Sequence, residues 1–134
     1  MSSAPLSVIG KTDDLRIKGI RALIAPQLLV EQLPVDAEAL ATVGNARRSI
    51  HRVLHGADDR LVAVVGPCSI HDYGAAVEYA RRLAAESRRL EADLLVVMRV
   101  YFEKPRTTVG WKGFINDPHL DGSFAINEGL RLAR

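Results

Sequence analysis

The sequence predicts an α/β fold built on a parallel sheet, and three observations carry that prediction. Two continuous apolar runs, Leu61–Val65 and Leu94–Met98, are flanked by turn residues, as strands of a buried parallel sheet are. A stretch with helical periodicity separates them, so the order reads strand, helix, strand. The second run leads at once into Arg99, Lys104, Arg106, Thr107 and Thr108. Cations and hydroxyls at the C-terminal end of a strand are the usual layout of an anion site in α/β enzymes.

Taken in order, Asp13 and Asp14 precede Leu15-Arg16-Ile17-Lys18, a short helical start with acidic residues where a helix N-terminus favours them. Pro26 and Pro34 enclose Gln27 to Leu33, which reads as a short extended segment of edge-strand type. Asp36 offers an N-cap for a helix to about Leu54, with Leu40, Val43, Ile50, Val53 and Leu54 on one side and Gly56 as its stop. Leu61–Val65 then reads as a strand buried on both faces, framed by Asp58-Asp59 and Gly66-Pro67. A helix follows from Ala75 to about Leu90, placing Ala76, Ala80, Leu83, Ala84, Ser87 and Leu90 on one face. The second strand is expected over Leu94 to Val100, and a third helix from Ser123 onward, with Ile126, Leu130 and Ala133 in step.

Two strands neither close a barrel nor protect both edges of a sheet. A typical (β/α)8 barrel takes about 250 residues, whereas this sequence has 134. The expectation is therefore an N-terminal extension over 1–57, followed over 58–134 by the first βα units of a TIM (β/α)8 barrel.

Composition narrows the function classes. A net charge of +2 from 18 basic and 16 acidic residues gives no clustered basic surface for nucleic acid. Arg81-Arg82 and Arg88-Arg89 are the densest pairs, and they alternate with Glu78, Glu86 and Glu91 as a solvated, ion-paired helix face does. The single cysteine, Cys68, excludes an internal disulfide and fits a reducing compartment. The first ten residues lack a basic and apolar leader pattern, and no apolar run approaches the roughly 18 residues that span a bilayer. A cytoplasmic protein with no membrane partner is expected.

Chemistry concentrates at the two strand ends. Gly66-Pro67 re-aims the chain and presents Cys68, either a thiolate ligand for a divalent metal or a small buried hydrophobe. His71 and Asp72 are either further ligands or, the favoured reading, loop and capping residues. On the second strand, Leu95, Val97, Arg99 and Tyr101 share one face, and an arginine on an otherwise apolar face requires a counter-charge. Lys104 and Arg106 add more positive charge than the lone Glu103 can neutralise, which favours a bound anion over a structural ion pair. Trp111 either lids a site or, the favoured reading, anchors the following loop by packing, and the sequence identifies no partner for His119.

Together, Gly66-Pro-Cys-Ser-Ile-His-Asp72 and Met98-Arg-Val-Tyr-Phe-Glu-Lys-Pro-Arg-Thr-Thr-Val-Gly-Trp-Lys-Gly113 closely resemble the feedback-regulated microbial DAHP synthases, the phospho-2-dehydro-3-deoxyheptonate aldolases. The resemblance implies a (β/α)8 barrel that condenses phosphoenolpyruvate with erythrose 4-phosphate and releases phosphate, the first step toward chorismate and the aromatic amino acids. It implies that Cys68 is one of four ligands to a divalent metal of the Mn, Fe, Co or Zn type, which would polarise the aldehyde. Arg99 and Lys104 are implied to hold phosphoenolpyruvate, and Lys104, Pro105, Arg106 and Thr107 to line the erythrose 4-phosphate site. The other metal ligands are implied to be a histidine, a glutamate and an aspartate on later strands that this chain does not hold. Asp13 and Asp14 fall in a segment resembling the family's N-terminal extension, which lies at a subunit interface and helps form the pocket for an inhibitory aromatic amino acid. A homo-oligomer is implied for the full-length enzyme.

Two expectations follow for the chain itself. One is the N-terminal part of a synthase, inactive alone. The other is a non-catalytic short protein that dimerises with, or regulates, a full-length synthase.

Overall fold

The computed structural model describes residues 16–17, 19–103 and 109–134. Among these residues four helices and two strands follow one another as α1 (Pro26–Gln32), α2 (Ala37–Leu54), β1 (Leu61–Val65), α3 (Tyr73–Arg89), β2 (Leu94–Met98) and α4 (Ile126–Ala133). The fold is mixed α/β around a small parallel sheet. Of the expected helical start, Asp13, Asp14, Leu15 and Lys18 lie outside the described residues, and Arg16 and Ile17 belong to no helix.

The first correction concerns Pro26 to Pro34, which contains a helix and not an extended strand. Pro26 opens α1, where its fixed φ suits the first turn and its missing N–H is not needed. Gln27 Nε2 donates to Glu31 Oε1 at 3.0 Å along one face, and the Leu33 amide closes the last turn on the Leu29 carbonyl at 3.0 Å. The two prolines bracket a helix as readily as a strand, because each sits where a helix tolerates it.

Asp36 caps α2 as expected, its Oδ1 accepting from the Ala39 amide at 2.7 Å. At the far end Gly56 has a φ of +69°. There the Gly56 amide donates to the Val53 carbonyl and the Ala57 amide to the Arg52 carbonyl, the two bonds of a Schellman motif. Along the helix, Ile50 and Val53 are half-buried, whereas Leu40, Val43 and Leu54 are exposed.

β1 and β2 pair in parallel from Leu61↔Leu94 to Val65↔Met98, with α3 as the crossover. β1 was expected to be buried on both faces, yet Leu61 is 72% and Val64 64% exposed. A parallel strand hides both faces and both edges only when helices and further strands cover them. Among the described residues, α2 touches both strands and α3 packs mainly on β2. β2 also ends two residues early. Its partner turns away at Gly66-Pro67, and beyond Met98 two separate bonds remain: Arg99 N to Val65 O at 2.6 Å and Ile70 N to Tyr101 O at 2.8 Å.

Asp72 starts α3 by accepting from the Ala75 amide at 2.6 Å, which brings the helix two residues forward of its expected start. Glu78 pairs with Arg82, and Glu86 with Arg89 at 2.8 Å, the ion-paired face read from the sequence. α4 begins at Ile126 and not at Ser123. Ser123 is held outside it by its amide bond to Asp121 Oδ1 at 2.9 Å, and Phe124 has a φ of +51°.

Candidate active site

The ends of β1 and β2 stand side by side. At Gly66 the backbone approaches Arg99 so closely that a Cβ would lie 2.5 Å from the Arg99 carbonyl oxygen, at a φ of +155°. Glycine is the residue that fits there. Two residues on, the Cys68 carbonyl accepts from Arg99 Nη2 at 3.3 Å. The Cys68 side chain is exposed. That removes the reading of a buried hydrophobe. Sequence reasoning brought Cys68 and Arg99 to neighbouring strand ends, and the structure places them in contact.

Arg99 is exposed, and its guanidinium lies 5.3 Å from the centre of the Tyr101 ring. A planar cation on an aromatic face keeps its outer N–H groups available for an oxyanion. Among the described residues no carboxylate pairs with it. Glu103 is engaged elsewhere, its Oε1 accepting from Asn116 Nδ2 at 2.5 Å. Among the described residues the outer N–H groups of Arg99 thus face no carboxylate.

Lys104, Pro105, Arg106, Thr107 and Thr108 lie outside the described residues. The residues on either side of them meet at a neck. Glu103 and Gly113 form an antiparallel bridge, and the Phe114 amide donates to the Phe102 carbonyl at 2.7 Å. Gly113 has a φ of +144°, and a Cβ there would lie 2.3 Å from the Phe102 oxygen.

Behind the neck, Trp111 packs as expected and donates from Nε1 to the Asp117 carbonyl at 2.8 Å. Asp117 is buried; its Oδ2 accepts from the Gly122 amide at 3.0 Å, and among the described residues its Oδ1 has no hydrogen-bond partner. His119 Nε2 lies 3.0 Å from Glu128 Oε2, and that carboxylate holds the imidazole pKa above its usual value. Sequence reasoning missed Asn116, Asp117 and Glu128 as organisers of this loop. A turn-forming Asn-Asp-Pro run was the visible signal, but partners 13 positions apart such as Glu103 and Asn116 leave none.

Cys68 is the residue for which a metal-ligand role is expected. His71 is exposed, Asp72 is spent on capping, and among the described residues no group of three His, Cys, Asp or Glu could hold a metal ion. These residues do not by themselves make a metal site. Asp13 and Asp14 lie outside the described residues.

Against known proteins, the DAHP synthetase I family matches residues 32–133. This chain belongs to that family. It is 60% identical over 124 residues to the Phe-sensitive phospho-2-dehydro-3-deoxyheptonate aldolase of Escherichia coli K12, covering 92% of this chain and 35% of that one. A phospho-2-dehydro-3-deoxyheptonate aldolase from Amycolatopsis methanolica is 54% identical over 134 residues, 100% of this chain and 66% of that one. The solved phospho-2-dehydro-3-deoxyheptonate aldolase of Francisella tularensis SCHU S4 superposes with a TM-score of 0.83 at 53% identity, over 88% of this chain and 35% of that one. The chain thus spans about a third of the E. coli and F. tularensis proteins. The family expectation drawn from the two motifs holds.

Proposed function

We propose that the protein carrying this sequence condenses phosphoenolpyruvate with erythrose 4-phosphate to form 3-deoxy-D-arabino-heptulosonate 7-phosphate. In that reaction C3 of phosphoenolpyruvate bonds to the aldehyde carbon, one water is consumed at the enol phosphate to leave the C2 keto group, and phosphate departs. The observation that carries the reading is Arg99: exposed beside Cys68, stacked on Tyr101, and without a carboxylate partner among the described residues. Membership of the DAHP synthetase I family supports it.

Both substrates are anions, so cations gathered at one strand end lower the repulsion of bringing them together and fix their orientation. Arg99 and Lys104 would hold phosphoenolpyruvate. Lys104, Pro105, Arg106 and Thr107 would line the place of the sugar phosphate. A divalent metal belongs to the same proposal, with Cys68 as one donor and the others from outside the described residues; bound, it would supply Lewis-acid polarisation of the aldehyde.

In this reading β1, α3 and β2 are neighbouring units of a (β/α)8 barrel, as their parallel pairing and the match to the F. tularensis structure support. An aromatic amino acid is proposed as feedback inhibitor on the strength of the Phe-sensitive E. coli relative, with Asp13 and Asp14 as contributors to its pocket. A homo-oligomer in the cytoplasm completes the proposal. Among the described residues no helix is long and apolar enough to cross a membrane.

The test is equilibrium binding of phosphoenolpyruvate to the native gene product and to its Arg99→Ala variant. The loss of charged hydrogen bonds is expected to weaken binding by about tenfold or more. Equal affinity in the two proteins would overturn the role of Arg99.

A further inference from the structure

One amide side chain fastens the segment ahead of α1 to the far end of the chain. Asn127, in the first turn of α4, accepts from the Ile24 amide at 2.9 Å through Oδ1 and donates from Nδ2 to the Ala22 carbonyl at 3.0 Å. An amide offers both a donor and an acceptor, so it serves the two backbone groups flanking Leu23 as a residue of a parallel strand would. Arg21 donates to the Ser123 carbonyl at 3.2 Å, and Arg131 to Gln32 Oε1 at 3.4 Å, on either side of this contact.

On its other side α4 presses on the loop behind the candidate site. Gly129 is buried, and a Cβ there would lie 2.2 Å from the Ile115 carbonyl oxygen. The residues flanking Ile115 are the ones that close the neck: Phe114 bonds to Phe102, and Asn116 bonds to Glu103. Contact is therefore continuous from Ala22 to the residue preceding Lys104.

We propose that Asn127 is a positioning residue, which seats α4 against residues 22–24 and thereby steadies the pairing of Phe102 and Glu103 with Gly113 and Phe114. The inference rests on the functional reading above only in taking Arg99 and the residues that follow β2 to serve the substrate site. Continuity in space is not yet coupling, so the test reads a distant site.

Amide hydrogen exchange in the native gene product, compared with Asn127→Ala and Asn127→Asp, supplies that reading. Three amides matter: Ile24 beside the substitution, Phe114 at the neck, and Leu61, which bonds to the Asp93 carbonyl at the start of the sheet, as control. Asn127→Ala is expected to speed exchange about tenfold or more at both Ile24 and Phe114 while leaving Leu61 within about twofold. Asn127→Asp keeps the acceptor for Ile24 and is expected to fall between; it decides alone if the alanine variant does not fold. An unmoved Phe114, or one that moves only in step with Leu61, would overturn the proposal. Exchange needs no turnover, so an inactive gene product would leave this result standing.

Discussion

Gly66 and Arg99 are locked together by backbone contact: a Cβ on Gly66 would lie 2.5 Å from the Arg99 carbonyl oxygen, and the Arg99 amide bonds to Val65 at 2.6 Å. The glycine that turns β1 out of the sheet thus also fixes the height at which the arginine leaves β2. Gly66→Ala is expected to destabilise the fold by more than about 1 kcal/mol, because both the φ and the space are wrong for alanine. Thermal unfolding checks this. A variant as stable as the parent would mean that the approach relaxes at no cost.

Arg99→Lys retains the charge but loses the planar fork and the flat face against Tyr101. Phosphoenolpyruvate affinity is expected to fall by roughly 10- to 100-fold, the range for lost hydrogen bonds to a charged group. Calorimetric titration of the variant measures it.

Asp58 and Arg60 clasp the entry to β1, with Arg60 Nη2 2.7 Å from Asp58 Oδ2. Hydrogen bonds from Arg60 hold the Asp58 carboxyl down at about 2, against 3.8 when unperturbed. A depressed carboxyl pKa contributes stability that is present above the unfolded value and is lost as the pH falls from there toward about 2. Unfolding midpoints measured across that window are expected to drop more steeply in the parent than in Arg60→Met.

His119 behaves in the opposite sense. Its pKa is raised, chiefly by its hydrogen bond to Glu128. That contribution is complete below the unfolded value of 6.5 and is lost as the pH climbs through the raised folded value. In Glu128→Gln, the His119 ring titration followed by NMR is expected to move back down, and the fall in stability above neutrality to shrink.

Local chemistry made much of this legible in the sequence. Asp36 and Asp72 cap helices because a short carboxylate ahead of an apolar period has little else to do, and Gly56 ends α2 because the Schellman turn needs its φ. Cys68 and Arg99 were readable because Arg99 follows an apolar run directly and Cys68 follows one after the turn residues Gly66-Pro67. What was hidden depends on distant partners. Pro26–Gln32 is helical although two flanking prolines suggested an extended strand, and the exposure of β1 depends on how much of its surface other elements cover. The bonds of Asn127 to Ala22 and Ile24 span more than 100 positions, and no periodicity records them.

The most direct test is turnover. The native gene product, purified with its divalent metal content intact, is mixed with phosphoenolpyruvate and erythrose 4-phosphate, and phosphate release is followed alongside formation of the seven-carbon acid. Equal amounts of both products are expected, with loss of both in Arg99→Ala. No condensation by the metal-loaded parent, or turnover unchanged in Arg99→Ala, would contradict the proposed function.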